Sequence, residues 1–188
     1  MSTLLDVEIS AETVDDRAAT HGVVSAAFVD EPVVADLVEA LRESTAWIDG
    51  LSFVAKSEGR VVGHVLVTRA LLDAPRRLVD VLVLSPLAVA PAVQRRGVGA
   101  RLVRHCLDVV ATRPEPALFL EGSPRYYGRF GFEPAVERGF RRPSLRIPKP
   151  AFQVKLLPGY QGWMTGTLVY AEPFWRFDCV GLREEPSG

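Results

Sequence analysis

The sequence contains few cysteines and no long apolar run. Its 188 residues include two cysteines, Cys106 and Cys179, which lie far apart and belong to neither a CxxC pair nor a His cluster. This spacing argues against a disulfide framework and indicates no zinc site, so we expect no metal. No apolar stretch approaches the ~20 residues of a membrane span. We therefore expect a cytoplasmic protein that does not bind a membrane.

An excess of charge of one sign is also missing. Lys and Arg total 22, Asp and Glu total 23, and the formal net charge is -1 at pH 7. Proteins that bind nucleic acid usually carry a basic surface, so we expect no nucleic-acid partner, and any anion site must be local. Hydrophobic residues make up 48% of the chain, which is ordinary for a globular protein. At about 150 residues per domain, the length predicts a single domain over residues 1–188.

Apolar spacing predicts alternating helices and strands. A helix should begin at Thr13, with Asp15 and Asp16 in its first turn, and a second helix should follow Pro32. The clearest helix spans residues 98–110, where the apolar residues form one stripe. We expect strands at residues 4–9, 51–55, 61–67, 78–84 (ended by Ser85-Pro86), 117–120, 152–157 and 165–170, and a frayed end at residues 187–188.

Chain order places the helix at residues 98–110 between two strands. That order predicts a parallel crossover and therefore a mixed sheet. The connection before the helix contains Gly97 and Gly99 and exposes unpaired N–H groups at the positive end of the helix, an arrangement that binds phosphate. The alternative is an ordinary connection with packing glycines and solvated arginines. The sequence lacks a G-x-x-x-x-G-K-[ST] loop and the third glycine of a dinucleotide fingerprint, which disfavours ATP and NAD.

Two segments carry a family resemblance. The run from Leu87 to Pro91, followed by Gln94-Arg95-Arg96-Gly97-Val98-Gly99, resembles the pyrophosphate motif of the GNAT superfamily of CoA-dependent N-acyltransferases. The segment Pro124-Arg125-Tyr126-Tyr127-Gly128-Arg129-Phe130-Gly131-Phe132 resembles the tyrosine-bearing element of that family. Residues 4–133 are similar to its core. Residues 134–188 are similar to the C-terminal sheet extension of a small bacterial subgroup with poorly characterised members.

The resemblance implies an α/β GNAT fold, in which a mixed central sheet has helices on both faces and splayed central parallel strands. It implies acetyl-CoA as cosubstrate and transfer of the acetyl group to a primary amine by direct attack through a ternary complex, without an acyl-enzyme. The residues implied to bind the cosubstrate are Leu87, Ala88, Val89, Gln94, Arg95, Arg96, Gly97, Val98, Gly99 and Ala100. Tyr127 is implied to protonate the departing thiolate. Packing of Tyr126 or Tyr127 over the cofactor or the core remains the alternative.

The resemblance places the acceptor pocket at the two early helices and the C-terminal strands. Carboxylates there would attract an ammonium group and aromatic rings would line its path, which suits a small-molecule or peptide amine. The residues that we single out are Phe28, Asp30, Glu31 and Trp163, with Trp47, Tyr160 and Trp175 as further aromatic candidates. The alternative is that Asp30 and Glu31 cap a helix and the aromatic residues fill the core. The resemblance is compatible with a homodimer.

No general base stands out. The family often has an acidic residue on the strand before the pyrophosphate loop, but Ser85-Pro86 stands there instead. Asp80, Glu121 and His64 lie on or near expected strands, and each is as readily a surface or a satisfied polar residue. This departure keeps open a rival function, a non-catalytic acyl-CoA-binding or regulatory module. RNA binding through arginines of the loop and helix would need a basic stripe with stacking aromatic residues, which the balanced charge disfavours.

Overall fold

The computed structural model describes residues 4–182 and contains nine strands and five α-helices in that range. The strands are β1 (Glu8–Ala11), β2 (Ser52–Ser57), β3 (Arg60–Asp73), β4 (Leu78–Val89), β5 (Ala117–Glu121), β6 (Glu133–Pro134), β7 (Phe140–Arg141), β8 (Phe152–Leu156) and β9 (Gly166–Val169). The helices are α1 (Arg17–Ala27), α2 (Val33–Arg42), α3 (Val98–Val110), α4 (Pro124–Tyr127) and α5 (Glu172–Arg176). The expected frayed end at residues 187–188 lies outside the described residues.

The chain divides into two compact units, and both β3 and β4 contribute to each. The first unit contains residues up to Arg69 together with Leu84–Arg113. Its strands follow the order β1-β2-β3-β4. β2 and β3 form the predicted antiparallel hairpin. Glu58 (φ 50) and Gly59 (φ 77) both adopt left-handed backbone in its turn, which matches the right-handed twist of the paired strands.

The start of the first helix differs from the prediction in detail. The amide and hydroxyl of Thr13 both donate to Asp16 Oδ2, at 3.0 and 2.8 Å, and a 3-10 turn over Val14–Asp16 precedes α1. The Asp16 carboxylate also pairs with Lys56 Nζ at 2.7 Å. Asp16 therefore serves the turn and the neighbouring strand, and α1 begins at Arg17, four residues after Thr13.

The predicted helix at residues 98–110 is confirmed as α3. Its buried stripe comprises Val98, Leu102, Val103, Cys106 and Val110. β3 approaches this helix at Gly63, where an added Cβ would lie 2.9 Å from Leu102 Cδ1 and 3.0 Å from Val98 Cγ1. Glycine is therefore required at position 63 by the close approach of strand and helix.

The first expected strand is shorter than predicted. It begins at Glu8 instead of residue 4, because the Leu5 amide donates to the Arg96 carbonyl at 3.0 Å and not to a strand neighbour. The expected end of β4 at Ser85-Pro86 was wrong, since the strand continues to Val89. Pro86 lies beyond the last residue pair between β4 and β5, where no ladder bond to β5 depends on its missing N–H.

The second unit contains Ala70–Val83 and the described residues from Pro114 onward. β4 and β5 pair in parallel through Leu82↔Leu118 and Val83↔Phe119, which confirms the crossover, and both strands continue past these pairs. β8 pairs antiparallel with β5 and with β6, and β9 pairs with β3 and β7. The predicted mixed sheet with helices, an α/β fold, is therefore observed. The sequence patterns did not reveal β6, β7, α4 or α5.

A buried polar network lies in the first unit. Glu12 Oε1 pairs with Arg42 at 2.6 Å, and both side chains are 3% exposed. Ser52 Oγ donates to Glu12 Oε2 at 2.8 Å and lies 2.9 Å from His64 Nε2. Since the hydroxyl proton of Ser52 is already given to Glu12, the Nε2 atom of His64 must carry the proton and donate to Ser52. Within the described residues, His64 Nδ1 is buried without a hydrogen-bond partner.

We expect this network to make the protein unstable in acid. Burial, which outweighs the attraction of Glu12, lowers the pKa of His64 from 6.5 to about 4. The unfolded chain binds this proton below about pH 6.5 and the folded chain does not until about pH 4, so stability is complete above 6.5 and falls below it. The loss by pH 4 is roughly 3 kcal/mol. Urea unfolding at pH 7.5 and pH 5 measures it.

His64→Gln is the control for this prediction. The Gln amide can still donate to Ser52 but does not titrate, so the loss of stability between pH 7.5 and pH 5 should shrink. An unchanged pH dependence in His64→Gln would assign the acid lability to other groups.

Candidate functional site

The loop between β4 and α3 has the backbone of an anion-binding loop. After β4 ends at Val89, the Gln94 side-chain amide donates to the Val89 carbonyl at 3.1 Å and closes the loop. Arg95 (φ 60) and Gly97 (φ 85) both adopt left-handed backbone. Left-handed residues in such a turn can bring successive N–H groups to face the same side, which creates a concave site for anions.

The first turn of α3 supplies the remaining donors of this loop. The first intrahelical bond runs from the Arg101 amide to the Gly97 carbonyl at 3.1 Å. The amides of Val98, Gly99 and Ala100 therefore precede the helical ladder and lie at the positive end of the helix dipole. Gln94 and Arg95 are exposed beside them. The predicted position of the loop between strand and helix is confirmed, and its role in binding phosphate stays a prediction.

The N-terminal segment lies against the same loop, which sequence reasoning missed. The Leu5 amide donates to the Arg96 carbonyl, and Leu4 Cδ2 lies 2.7 Å from the place that a Cβ at Gly97 would occupy. Arg101 Nη1 lies 3.6 Å from Asp6 Oδ1. No local pattern in the sequence reveals these contacts, because they join segments about ninety residues apart. A side chain at position 97 would displace Leu4.

The last residues of β4 lead directly into the loop. Leu87 and Val89 are half-buried and Ala88 is buried between them, as strand alternation requires. The Ala90 amide donates to the Val62 carbonyl of β3 at 2.9 Å. β3 therefore fixes the position at which the strand turns into the loop.

Tyr127 is held at the end of the short helix α4 in the second unit. Ser123 caps this helix, and the Tyr127 ring lies over Gly122, where an added Cβ would be 2.5 Å from Cε2 of the ring. The ring makes edge contacts with Tyr126 and Phe132, with centroids 4.9 and 5.8 Å apart. Burial, with a smaller contribution from Tyr126, raises the pKa of Tyr127 well above 10. The phenol therefore stays protonated at neutral pH and can act only as a proton donor.

Tyr126 has a different environment from its neighbour. The Arg129 guanidinium lies over the Tyr126 ring at 4.2 Å, and Phe130 packs against it with ring centroids 5.6 Å apart. These are packing contacts, so Tyr126 serves as the matched comparison for Tyr127.

The residues predicted for the acceptor fall into two groups. Phe28 is half-buried at the end of α1, and Asp30 and Glu31 are exposed just after it. The Glu31 amide donates to the Phe28 carbonyl at 2.9 Å, so these three residues form the turn between α1 and α2. Trp163 lies in the second unit, where Arg76 and Arg77 approach its ring at 5.2 and 5.5 Å. Arg76 and Arg77 therefore already supply cations to the Trp163 ring. An acceptor role for all four predicted residues stays a prediction.

The three candidates for a general base lie in different environments. His64 is buried in its hydrogen bond with Ser52, and Asp80 is exposed on β4. Glu121 is half-buried at the end of β5 and accepts hydrogen bonds from Tyr170 and Gly181. Sequence reasoning did not find these two partners, which lie 49 and 60 residues away.

The described residues contain no candidate metal cluster and no candidate membrane-spanning helix. Among residues 4–182, no group of three or more His, Cys, Asp or Glu side chains is placed to hold a metal ion. No helix in this part of the chain is both long and apolar enough to cross a membrane. Burial raises the pKa of Cys106 to about 12, which leaves this thiol protonated and unreactive.

Comparisons with known proteins identify the family of the chain. A family model described as an acetyltransferase (GNAT) domain matches residues 8–135. The uncharacterized N-acetyltransferase YjhQ of Escherichia coli (strain K12) is 36% identical over 143 residues, which are 74% of this chain and 78% of that protein.

Two solved structures extend the similarity beyond the family model. The GNAT family N-acetyltransferase YhbS of Escherichia coli, in complex with CoA, has a TM-score of 0.81 and 28% identity, and the match covers 94% of this chain and 96% of that one. A GNAT family acetyltransferase from Brucella melitensis, in complex with acetyl-CoA, has a TM-score of 0.72 and 27% identity over 90% and 98% of the two chains. The family model and these relatives agree with the predicted fold, and the chain belongs to the GNAT family of acetyltransferases.

Proposed function

We propose that the protein transfers an acetyl group from acetyl-CoA to a primary amine by direct attack within a ternary complex. The observation that carries the proposal is the loop before α3, where Arg95 and Gly97 are left-handed and the first helical amides are free of the helical ladder. Solved relatives with this fold contain CoA or acetyl-CoA, which supports the same donor here. In this proposal residues 1–188 act as one domain, with residues 134–188 as its C-terminal sheet extension.

Backbone groups and side chains have different roles in binding acetyl-CoA in this proposal. Amides of residues 95–100 hold the pyrophosphate, and Arg95 and Arg96 add charge at its edge. The backbone of Leu87, Ala88 and Val89 pairs with the pantetheine arm, and one amide in that run stabilises the oxyanion formed by attack. None of these roles requires a nucleophilic side chain.

Tyr127 completes the reaction in this proposal. The amine forms a bond to the thioester carbon, the C–S bond breaks, and Tyr127 gives its proton to the thiolate sulfur. Its high pKa supports a protonated phenol at the start of each cycle. The acceptor is a small-molecule or peptide amine, for which the turn at Phe28, Asp30 and Glu31 is the predicted contact.

A second function follows from one departure from the family pattern. Ser85 and Pro86 stand in β4 where the family often carries a carboxylate. A protein without a base could retain the cofactor loop and act as a non-catalytic acyl-CoA-binding or regulatory module. The two functions differ in turnover and not in binding.

The test combines calorimetry with thiol release. Acetyl-CoA should bind the protein, and a panel of polyamines, aminoglycosides, amino acids and peptides should contain an amine that triggers release of CoA thiol. Binding without thiol release for any amine would favour the non-catalytic module. Absence of acetyl-CoA binding would contradict both functions.

Arg95 should contribute to donor affinity and not to chemistry. Its side chain is exposed at the edge of the loop, where it can contact phosphate equally in the ground state and the transition state. Arg95→Ala should therefore raise KM for acetyl-CoA with little change in kcat. Steady-state kinetics measures both constants, and Arg113→Ala, in the turn that follows α3, is the control. A large loss of kcat with unchanged KM would assign Arg95 another role.

A further inference from the structure

Glu121 and Tyr127 are directed to opposite faces of β5. A Cβ added at Gly122 would lie 2.5 Å from the Tyr127 ring and 3.4 Å from Leu120 Cδ1, so positions 120 and 122 face Tyr127. Because side chains alternate along a strand, Glu121 faces the other way. Glu121 is also the last residue of β5, beyond its pairing with β4 at Phe119. Carboxyl ends of parallel strands are where open α/β sheets bind their ligands.

Two distant segments hold the Glu121 carboxylate in one orientation. The Tyr170 hydroxyl donates to Oε1 at 2.9 Å, and the Gly181 amide donates to Oε2 at 3.1 Å. Gly181 is left-handed (φ 62), and an added Cβ there would lie 2.6 Å from the Arg146 carbonyl carbon. The backbone at residue 181 is therefore packed so closely that only glycine can bring this amide to the carboxylate.

The charge of Glu121 is not matched by an ion pair. Within residues 4–182 both hydrogen-bond donors to it are neutral, and no cation lies within ion-pair distance of it. Arg146, the cation that influences it, instead pairs with Asp178 at 3.1 Å. Burial raises the pKa of Glu121 and outweighs the hydrogen bonds from Tyr170 and Gly181 and the charge of Arg146. A half-buried carboxylate that is fixed, unpaired and more basic than usual is typical of functional sites.

We propose that Glu121 takes up the proton of the acceptor amine, and that Tyr170 and the Gly181 amide position its carboxylate for this step. The inference rests on the proposed function. Glu121 removes one proton from the ammonium group and passes it to solvent, and the amine lone pair then forms the C–N bond. The nitrogen gives its second proton to Glu121 as the C–S bond breaks, and Glu121 passes this proton to solvent as well. Tyr127 protonates the sulfur and regains its proton from solvent, so each turnover releases one proton.

The placement of Glu121 and Tyr127 on opposite faces of β5 keeps the proposed base apart from the proposed acid. The amine is the entering group and the thiolate is the leaving group, so the reaction needs a base and an acid that act on two different atoms. With Glu121 and Tyr127 on separate faces, the two side chains do not neutralise each other by direct proton transfer. The C-terminal extension, which carries Tyr170 and Gly181, thereby acquires a role in catalysis.

The first test is Glu121→Gln, which keeps the size of the side chain and an acceptor for Tyr170 but cannot take up a proton. We expect kcat/KM for the acceptor amine to fall by about 10²-fold or more at neutral pH. Calorimetric affinity for CoA should stay unchanged, which also shows that the variant is folded. Glu137→Gln, an exposed carboxylate of the same unit, is the matched control and should behave as wild type.

The second test is Tyr170→Phe, read as a pH profile. Glu121 must be ionised to accept a proton, so kcat/KM for the acceptor should rise as pH passes its pKa. Removing the Tyr170 hydroxyl takes a hydrogen bond from the ionised form, which raises this pKa and should move the rising limb to higher pH. A merely structural hydrogen bond would leave the limb in place.

The outcomes separate the inference from the proposed function. Full kcat/KM in folded Glu121→Gln, a loss confined to KM, or an unmoved limb in Tyr170→Phe would overturn the role of Glu121 while acetyl transfer by the wild type stands. If Glu121→Gln does not fold, the Tyr170→Phe profile decides. Failure of the wild type to acetylate any amine would instead remove the proposed function, and the inference with it.

Discussion

Replacing Tyr127 with Phe should lower turnover by about 10²–10⁴-fold, because the substitution removes the general acid that we propose. Phe keeps the ring over Gly122 and the edge contact with Phe132, so the packing survives and only the proton is lost. Affinity for acetyl-CoA should stay unchanged. The measurement is thiol release at saturating acetyl-CoA with an active amine.

Tyr126→Phe is the control for this prediction. Tyr126 lies in the same helix but stacks with Arg129, and its ring survives the substitution. Its turnover should be nearly that of wild type. Equal losses in both variants would indicate that α4 is perturbed as a whole, and full turnover in Tyr127→Phe would show that another group protonates the thiolate.

Replacing Gly97 with Val should abolish detectable binding of acetyl-CoA. Gly97 is left-handed (φ 85) at the position where α3 begins, and a β-branched side chain both disfavours this backbone and blocks the approach of a ligand to the loop amides. The substitution also displaces Leu4, whose flexible tip touches the position of the new Cβ. Isothermal calorimetry with acetyl-CoA measures the loss.

Gly59→Val separates the loss of binding from a general loss of stability. Gly59 is also left-handed (φ 77), lies in the same unit, and has open space around its Cβ position. It carries comparable backbone strain, of order 1–3 kcal/mol, without touching the loop. Gly59→Val should therefore melt earlier yet bind acetyl-CoA normally. Wild-type affinity in Gly97→Val would contradict the assignment of the loop.

Local patterns predicted helix α3 and the loop that precedes it. The stripe from Val98 to Val110 defines α3 because a helix repeats every 3.6 residues, and the glycine-containing loop lies next to it in sequence. Tyr127 was singled out through a short motif in the same way, and its role stays a prediction. These features depend on residues within a few positions of one another, which is the range over which sequence reasoning works.

The features that sequence reasoning missed depend on distant contacts. Glu121 is held by donors 49 and 60 residues away, and no spacing rule connects them. The Leu5 amide donates to the Arg96 carbonyl and not to a neighbouring strand, so β1 begins later than predicted. A proline usually signals the end of a strand. β4 nevertheless accommodates Pro86, because its pairing with β5 ends before this residue. Each of these features depends on contacts between segments that are distant in the sequence.

The most direct measurement follows the acetyl group itself. Wild-type protein is mixed with isotope-labelled acetyl-CoA and an amine that triggers thiol release, and mass spectrometry is applied to the amine and to the protein. Transfer by direct attack predicts one labelled acetyl group on the amine for each thiol released, and an unlabelled protein. Thiol released without acetylated amine, or a label retained on the protein, would contradict it.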